Sequence, residues 1–231
     1  MRLDRMLSNA HAGTRSQVKK LVKEKRVKVN GVLAKTSSMQ IDEVNDEVTL
    51  DDIPVIYEEH MYLMLHKPAG YISATEGNVS TVMDLIYEDN NGLFPCGRLD
   101  KDTEGLLLLT NDGVLAHNLL SPKKHIDKTY FAILDGPVGT KEQELFLQGL
   151  DIGDEKLALP AKLELTENEN EVFITVQEGR FHQVKRMAKA VGRNVTYLKR
   201  ISMGNLVLDP NLKKGEYRSL TEKELTSLKK K

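Results

Sequence analysis

The chain has 231 residues, 40% of them hydrophobic and 29% charged, which suits one sizeable core or a small module beside a larger domain. It holds no run of about eighteen apolar residues, so a membrane span is not expected, and the opening MRLDRMLSNAHAG lacks the apolar centre of a secretion signal. The net charge of −1 hides a segregation: residues 1–35 carry ten Lys/Arg against two acids, while the remainder carries 23 against 32. Such a basic segment is an electrostatic footprint for a polyanion, although a solvated helix face would look the same.

In chain order, Leu3, Met6, Leu7 and Ala10 recur at helical spacing until HAGT breaks the pattern. Thr14 with Gln17 predicts a capping box that opens a second helix. Val18, Leu21 and Val22 form its apolar face, with Arg15, Lys19, Lys23 and Arg26 on the other side. Asn30-Gly31 between alternating apolar positions predicts a hairpin, since the tight turn needs positive φ at both central residues. MQIDEVNDEVTL is expected to continue as strands, and a linker is expected at residues 54–59. Beyond it MYLMLHK, GLLLLT, TYFAIL and EVFITVQ read as strands, and VLAHNLLS as a short helix stopped by Pro122. FHQVKRMAKAVG reads as a helix with Val184, Met187 and Val191 inward and Gly192 as its stop, and Thr221 with Glu224 predicts a last capping box. The expected class is α+β: a small helical and β module over residues 1–56, and a domain over 60–231 built on an antiparallel or mixed sheet with flanking helices.

The six histidines and single cysteine, Cys96, show no metal-ligand spacing, and there is no P-loop, GxGxxG or GxSxG, so neither metal nor cofactor is expected. One cysteine cannot form an internal disulfide, which fits a reducing cytoplasm; Cys96 is expected to be a small buried hydrophobe. The most informative stretch is GRLDKDTEGLLLLTNDG, residues 97–113, where Asp100, Asp102 and Glu104 stand directly before four leucines. The leucines read as a buried strand and the acids as the loop entering it, a common position for chemistry. The competing reading is a solvated loop whose acids pair weakly with Arg98 and Lys101. Leu99 facing the core would turn Arg98 and Asp100 to the opposite side, and Asp102 too if the segment stayed extended. A second basic cluster lacks any acid between Glu178 and Asp209, while Arg180, Lys185, Arg186, Lys189, Arg193, Lys199 and Arg200 are all basic.

The same stretch resembles the signature motif of the RsuA-type pseudouridine synthases. HKPAGYISA at 66–74, SPKKHIDKTYFAIL at 121–134 and EGRFHQVKRMAKAVG at 178–192 are similar to the family's Lys-Pro, Lys-Thr-Tyr and basic motifs. LKRISMGNLVLDPNLKKGEYRSLTEKEL resembles the family's C-terminal end, and the N-terminal segment resembles the RNA-binding module first described in ribosomal small-subunit protein four. The resemblance covers nearly the whole chain, in order. It implies the pseudouridine synthase fold and isomerisation of a uridine in ribosomal RNA without a cofactor. Asp100 would be the catalytic carboxylate, Tyr130 its aromatic partner and Lys185 its basic partner, with Arg180 and Arg186 as alternatives for the last role. RNA contacts are expected from Arg15, Lys19, Lys20, Lys23, Arg26, Lys67, Arg98, Arg180, His182 and Arg186. The opening 31 residues with LLSPKKHIDKTY resemble the branch acting on 16S ribosomal RNA more than branches acting on 23S. A cytoplasmic monomer is expected. A ribosome-assembly factor without catalysis and a nucleoside hydrolase that releases uracil are the rival readings.

Overall fold

A computed structural model describes every residue except 11, 44, 56, 58–59, 88–91 and 230–231. The chain divides into two units, Met1–His60 and Met61–Lys231. Residues 56, 58 and 59 of the expected linker, and His11 among the histidines, lie outside the described residues.

The first unit opens with α1 (Leu3–Asn9) and α2 (Arg15–Lys23). The capping box forms as the sequence predicts: Gln17 N–H donates to Thr14 Oγ1 at 3.3 Å, and Thr14 N–H donates to Gln17 Oε1 at 2.8 Å. β1 (Val27–Val29) and β2 (Val32–Leu33) make the hairpin, with Asn30 at φ 52° and Gly31 at φ 76° supplying the positive angles. β3 (Val48–Leu50) and β4 (Ile53–Pro54) complete a sheet of order β2-β1-β3-β4. Val18, Val22, Val27, Val29 and Val48 join Leu3, Met6 and Leu7 in one core. The expected strands over MQIDEVNDEVTL are a correction: among the described residues of that stretch, only Val48–Leu50 pairs into the sheet. The acids before it close a turn instead, Asp46 N–H donating to the Asp42 carbonyl and Asp46 Oδ2 accepting from Asp42 N–H, both at 2.8 Å.

The second unit is a single mixed sheet. Its strands are β5 (Tyr62–Lys67), β6 (Phe94–Pro95), β7 (Glu104–Thr110), β8 (Lys128–Leu134), β9 (Lys162–Leu165), β10 (Glu171–Val176), β11 (Val195–Met203), β12 (Leu206–Val207) and β13 (Tyr217–Ser219). The order is β13-β5-β7-β11-β8-β10-β9, with β12 beside β11 and β6 beside β7. β7 and β11 run parallel, and the other neighbours along this order antiparallel. Among the described residues, four α-helices flank it: α3 (Gly113–Leu120), α4 (Thr140–Gln148), α5 (Gln183–Ala190) and α6 (Glu222–Lys229).

The four leucines form the centre of β7, and strand alternation sends them both ways. Leu106 and Leu108 pack with Leu115 and Leu119 of α3 and Leu228 of α6 on one face. Leu107 and Leu109 pack with Leu63, Leu65, Val82, Met83 and Leu99 on the other. A strand covered on both faces needs no polar alternation, so the run is continuous. A third core joins α4 and α5 to β8, β9 and β10 through Phe146, Val184, Met187, Ala132, Leu163 and Ile174. Cys96 is fully buried in the α3 face, and burial pushes its thiol up to about 11.

The last helix is tied down by charge. Arg218 donates to both carboxylate oxygens of Glu224 at 2.8 and 2.9 Å and to Asp209 at 2.8 Å. Thr221 N–H also donates to Glu224 at 2.8 Å, as the predicted capping box requires. The Arg218 guanidinium lowers the Glu224 carboxyl from 4.5 to about 2. A depressed folded-state value means stabilisation that is complete above about pH 4.5 and lost as the pH falls toward 2. Glu224→Gln is therefore expected to destabilise by about 1–2 kcal/mol at pH 7, allowing for a partly solvated pair, and by much less at pH 2.5. Urea unfolding of both proteins at the two pH values reads this directly.

Candidate active site

Asp100 sits in the loop between Leu99 and β7, and three groups hold that loop from below. The Lys67 ammonium, at the end of β5, donates to the carbonyls of Thr103 (2.7 Å), Asp100 (3.0 Å), Pro68 (3.1 Å) and Lys101 (3.4 Å). Gly70 N–H donates to the Lys101 carbonyl at 2.7 Å. Ser73 Oγ donates to the Leu99 carbonyl at 3.1 Å and accepts Leu99 N–H at 3.0 Å. Leu99 is buried, 5% exposed, which fixes the outward direction of its neighbours. The loop does not stay extended, for Thr103 N–H turns back to the Asp100 carbonyl at 3.1 Å.

Lys67 is a correction. Expected as an RNA contact, it is fully buried with its ammonium enclosed by carbonyls, so no phosphate can reach it. Burial pushes it down to about 8, against the pull of Asp102, Asp100 and Glu104. The sign that a sequence offers is faint: a lysine closing the largely apolar run YLMLH must find its partners inside. Lys67→Met removes the ammonium that these carbonyls share, leaving the Asp100 carbonyl only Thr103 N–H and the Lys101 carbonyl only Gly70 N–H, and so loosens the loop. It is expected to lower kcat by about 10–100-fold through misplacement of Asp100, with RNA affinity unchanged in a binding titration.

The Asp100 carboxylate faces a cleft lined by Arg98, Leu99, Thr103, Tyr130, Arg180, His182, Lys185 and Leu198, among others. Lys185 Nζ, from α5, lies 3.0 Å from Asp100 Oδ2 and 2.6 Å from Asp102 Oδ1. Burial works against the ammonium, but its hydrogen bonds to Asp102 and Asp100 outweigh this and hold it above the ordinary lysine range. The same lysine carries Asp102 below the usual carboxylate range despite partial burial. His182 Nε2 stands 3.6 Å from Asp100 Oδ1. Tyr130, half-buried on β8, lines the same cleft, so Asp100, Tyr130 and Lys185 are brought together from three separate stretches.

The neighbouring acids do not pair with Arg98 and Lys101, as the surface reading had them. Asp102 goes to Lys185. Glu104 is buried, accepting from the Tyr197 hydroxyl at 2.7 Å and pairing with Lys214 at 2.8 Å. Burial opposes ionisation of Glu104, but Lys214 and Tyr197 hold it below the ordinary range, and burial with this carboxylate drives the Tyr197 phenol upward. No local pattern links Glu104 to partners 93 and 110 residues away.

The basic cluster after Glu178 is also largely internal. Arg180 donates to Glu178 (2.9 Å), to Asp154 (3.3 Å) and to the carbonyls of Lys156 (2.7 Å) and Leu157 (2.8 Å). Arg186 donates to Asp154 (2.5 Å) and to the carbonyls of Ile152 (2.8 Å) and Phe181 (3.1 Å). Both guanidinium groups, expected on RNA or on Asp100, instead hold the loop at residues 152–157. Arg193 donates to the Pro137 carbonyl at 2.8 Å, and Arg200 of β11 is buried at 2% exposure, donating to the Leu106 carbonyl of β7 at 2.8 Å. Lys185 is thus the basic side chain of α5 that meets Asp100. In the first unit, Lys19, Lys20, Lys23 and Arg15 are exposed, whereas Arg26 pairs bidentately with Asp51 at 2.6 and 2.9 Å. Among the described residues no group of three or more His, Cys, Asp or Glu side chains converges as a metal site, and no helix is long and apolar enough to cross a membrane.

Residues 61–190 match the RNA pseudouridylate synthase family and residues 1–48 match the S4 domain. An uncharacterised RNA pseudouridine synthase of Bacillus subtilis is 48% identical, with 97% of each chain covered. The ribosomal small subunit pseudouridine synthase A of Haemophilus influenzae is 40% identical over 99% of each chain. A crystal structure of a pseudouridylate synthase superposes with a TM-score of 0.71 at 38% identity, again over 99% of each chain. The chain belongs to the RNA pseudouridylate synthase family, with an S4 domain at its N-terminus. It is a pseudouridine synthase acting on RNA.

Proposed function

We propose that this enzyme converts one specific uridine of 16S ribosomal RNA to pseudouridine. The reaction breaks the N1–C1′ bond, turns the uracil, and joins C5 to C1′, with the C5 proton lost and N1 protonated, so nothing is oxidised and no group departs. The observation that carries the assignment of roles is the Asp100–Lys185 contact at 3.0 Å on the wall of a cleft that also holds Tyr130. Asp100 is the carboxylate that attacks C1′ or takes the 2′ proton. Lys185, 3.0 Å from Asp100 Oδ2, pairs its positive charge with that carboxylate and orients it in the cleft. Tyr130 lies against the uracil and assists removal of the C5 proton. The small-subunit substrate is supported by the name of the Haemophilus influenzae relative and its like in Pasteurella multocida, each 40% identical.

Residues 1–56 are proposed as the RNA-gripping module and 60–231 as the catalytic domain. Exposed cations on α2 would hold the phosphate backbone while the uridine leaves its stack, a step of a few kcal/mol. Replacing Lys19, Lys20 and Lys23 by glutamine is expected to weaken RNA binding and flatten the dependence of log K on log salt by about 2 units, at roughly 0.7–0.9 per lost phosphate contact. A titration of 16S transcript over a salt series measures it. The substrate is tested by mapping pseudouridines in ribosomal RNA from a strain lacking the protein. Loss of one 16S site is the expected result; an intact 16S with a missing 23S site would refute the substrate, and release of free uracil would refute isomerisation.

A further inference from the structure

Phe181 is 74% exposed, an unusual place for a large aromatic ring. It is held there. Its ring lies on the imidazole of His182 with centroids 3.8 Å apart and planes within 19°. Its carbonyl accepts from Arg186 Nη1, whose guanidinium is itself fixed by Asp154 and the Ile152 carbonyl. His182 adopts φ 49°, a left-handed conformation that residues with a Cβ seldom take, at the entrance to α5. Its side chain makes no capping bond to that helix, so capping does not explain the geometry. What the conformation does is set the imidazole beside Asp100, Nε2 to Oδ1 3.6 Å, with Phe181 one aromatic layer further out. His182 lines the cleft, and the exposed Phe181 ring stacks on it. Arg98, which lines the same cleft, and Lys101 are exposed on the loop that carries Asp100.

We propose that the Phe181–His182 stack is a binding subsite for an unpaired base of the substrate RNA, the nucleotide flanking the uridine that enters the cleft. The inference rests on the proposed RNA isomerase reading of Asp100. An aromatic face open to water, with exposed cations on the Asp100 loop, suits a nucleobase, whose π-face stacks on it while the adjoining phosphate meets the cations. It suits any of the four bases, since stacking reads no edge. The uridine itself must reach Asp100 inside the cleft, so the base on the exposed ring is its neighbour. Stacking there would hold the strand open on the side from which the uridine has left.

The test compares wild type with Phe181→Ala, Phe181→Leu, Phe181→Tyr and Phe181→Trp, using a 16S ribosomal RNA transcript at a salt concentration high enough to suppress non-specific binding. Both the equilibrium dissociation constant and the single-turnover rate of pseudouridine formation are measured, with thermal melting to show that each protein is folded. The expected result is a dissociation constant raised about tenfold for Ala and Leu and within about twofold of wild type for Tyr and Trp. Ala within twofold of wild type, or Leu restoring affinity as well as Trp, overturns the proposal, since simple apolar packing would not distinguish ring from branch. An aromatic-dependent affinity with no pseudouridine formed by any protein would keep the subsite and remove the isomerase reading. Pseudouridine formed equally by all five, with equal affinity, would remove the subsite alone.

Discussion

Asp100→Ala and Asp100→Asn are expected to abolish pseudouridine formation, lowering kcat by about 10⁴-fold or more, the scale of losing an essential nucleophile or base. Neither variant should unfold, because the carboxylate is not what holds its own loop: Lys67 and Thr103 N–H grip the Asp100 carbonyl. RNA affinity should also stay close to wild type. The contrast that gives the experiment its force is Asp102. It shares Lys185 with Asp100 and lies nearer to it, 2.6 against 3.0 Å, yet its side chain is 72% exposed where Asp100 is 26% exposed. Asp102→Ala is expected to lose less than about tenfold, as an exposed partner of a shared cation should. Single-turnover assays on ribosomal RNA separate the two. Asp100→Ala retaining a hundredth of wild-type activity, or Asp102→Ala falling as far, would displace Asp100 from its assigned role.

Gly105→Ala should fail for a different reason. Gly105, the second residue of β7, has φ 104° and is the register partner of Arg200 on the parallel strand β11. A methyl group there would stand 2.2 Å from the Arg200 carbonyl oxygen and 2.8 Å from its nitrogen. Those are backbone atoms at the middle of the sheet, so nothing flexible can move aside. The left-handed φ adds its own penalty for a residue bearing a Cβ. The expected loss is about 3–5 kcal/mol of unfolding free energy, or an insoluble protein. Gly113→Ala serves as the control, since a Cβ at the start of α3 meets nothing within 4 Å. Urea midpoints of the two variants should differ widely; equal midpoints would show that β7 and β11 can separate at no great cost.

Local chemistry made much of this fold readable from sequence. The Asn30-Gly31 turn, the Thr14–Gln17 and Thr221–Glu224 boxes and the leucine strand each follow from interactions within a few residues. The strand β11 did not announce itself, because VTYLKRISM interleaves charges whose partners are remote: Arg200 donates to the Leu106 carbonyl at 2.8 Å. The same limit applied at the site. Alternation around Leu99 turned Asp100 away from the core but could not separate it from Asp102, and only family resemblance did so. Basic residues after Glu178 looked alike in the sequence. Packing divided them, sending Arg180 and Arg186 to Asp154 and Lys185 to Asp100.

The clasp beneath Asp100 has a further property. Lys67, Gly70 and Ser73 touch the loop only through main-chain atoms: the carbonyls of Leu99, Asp100, Lys101 and Thr103 and the amide of Leu99. Every amino acid but proline offers the same main-chain atoms. The loop's shape is therefore uncoupled from the identity of the side chains it displays at positions 101 and 102. Substitutions at those two positions are expected to leave the clasp intact, with a change at 102 reaching Asp100 only through the Lys185 ammonium that both carboxylates share.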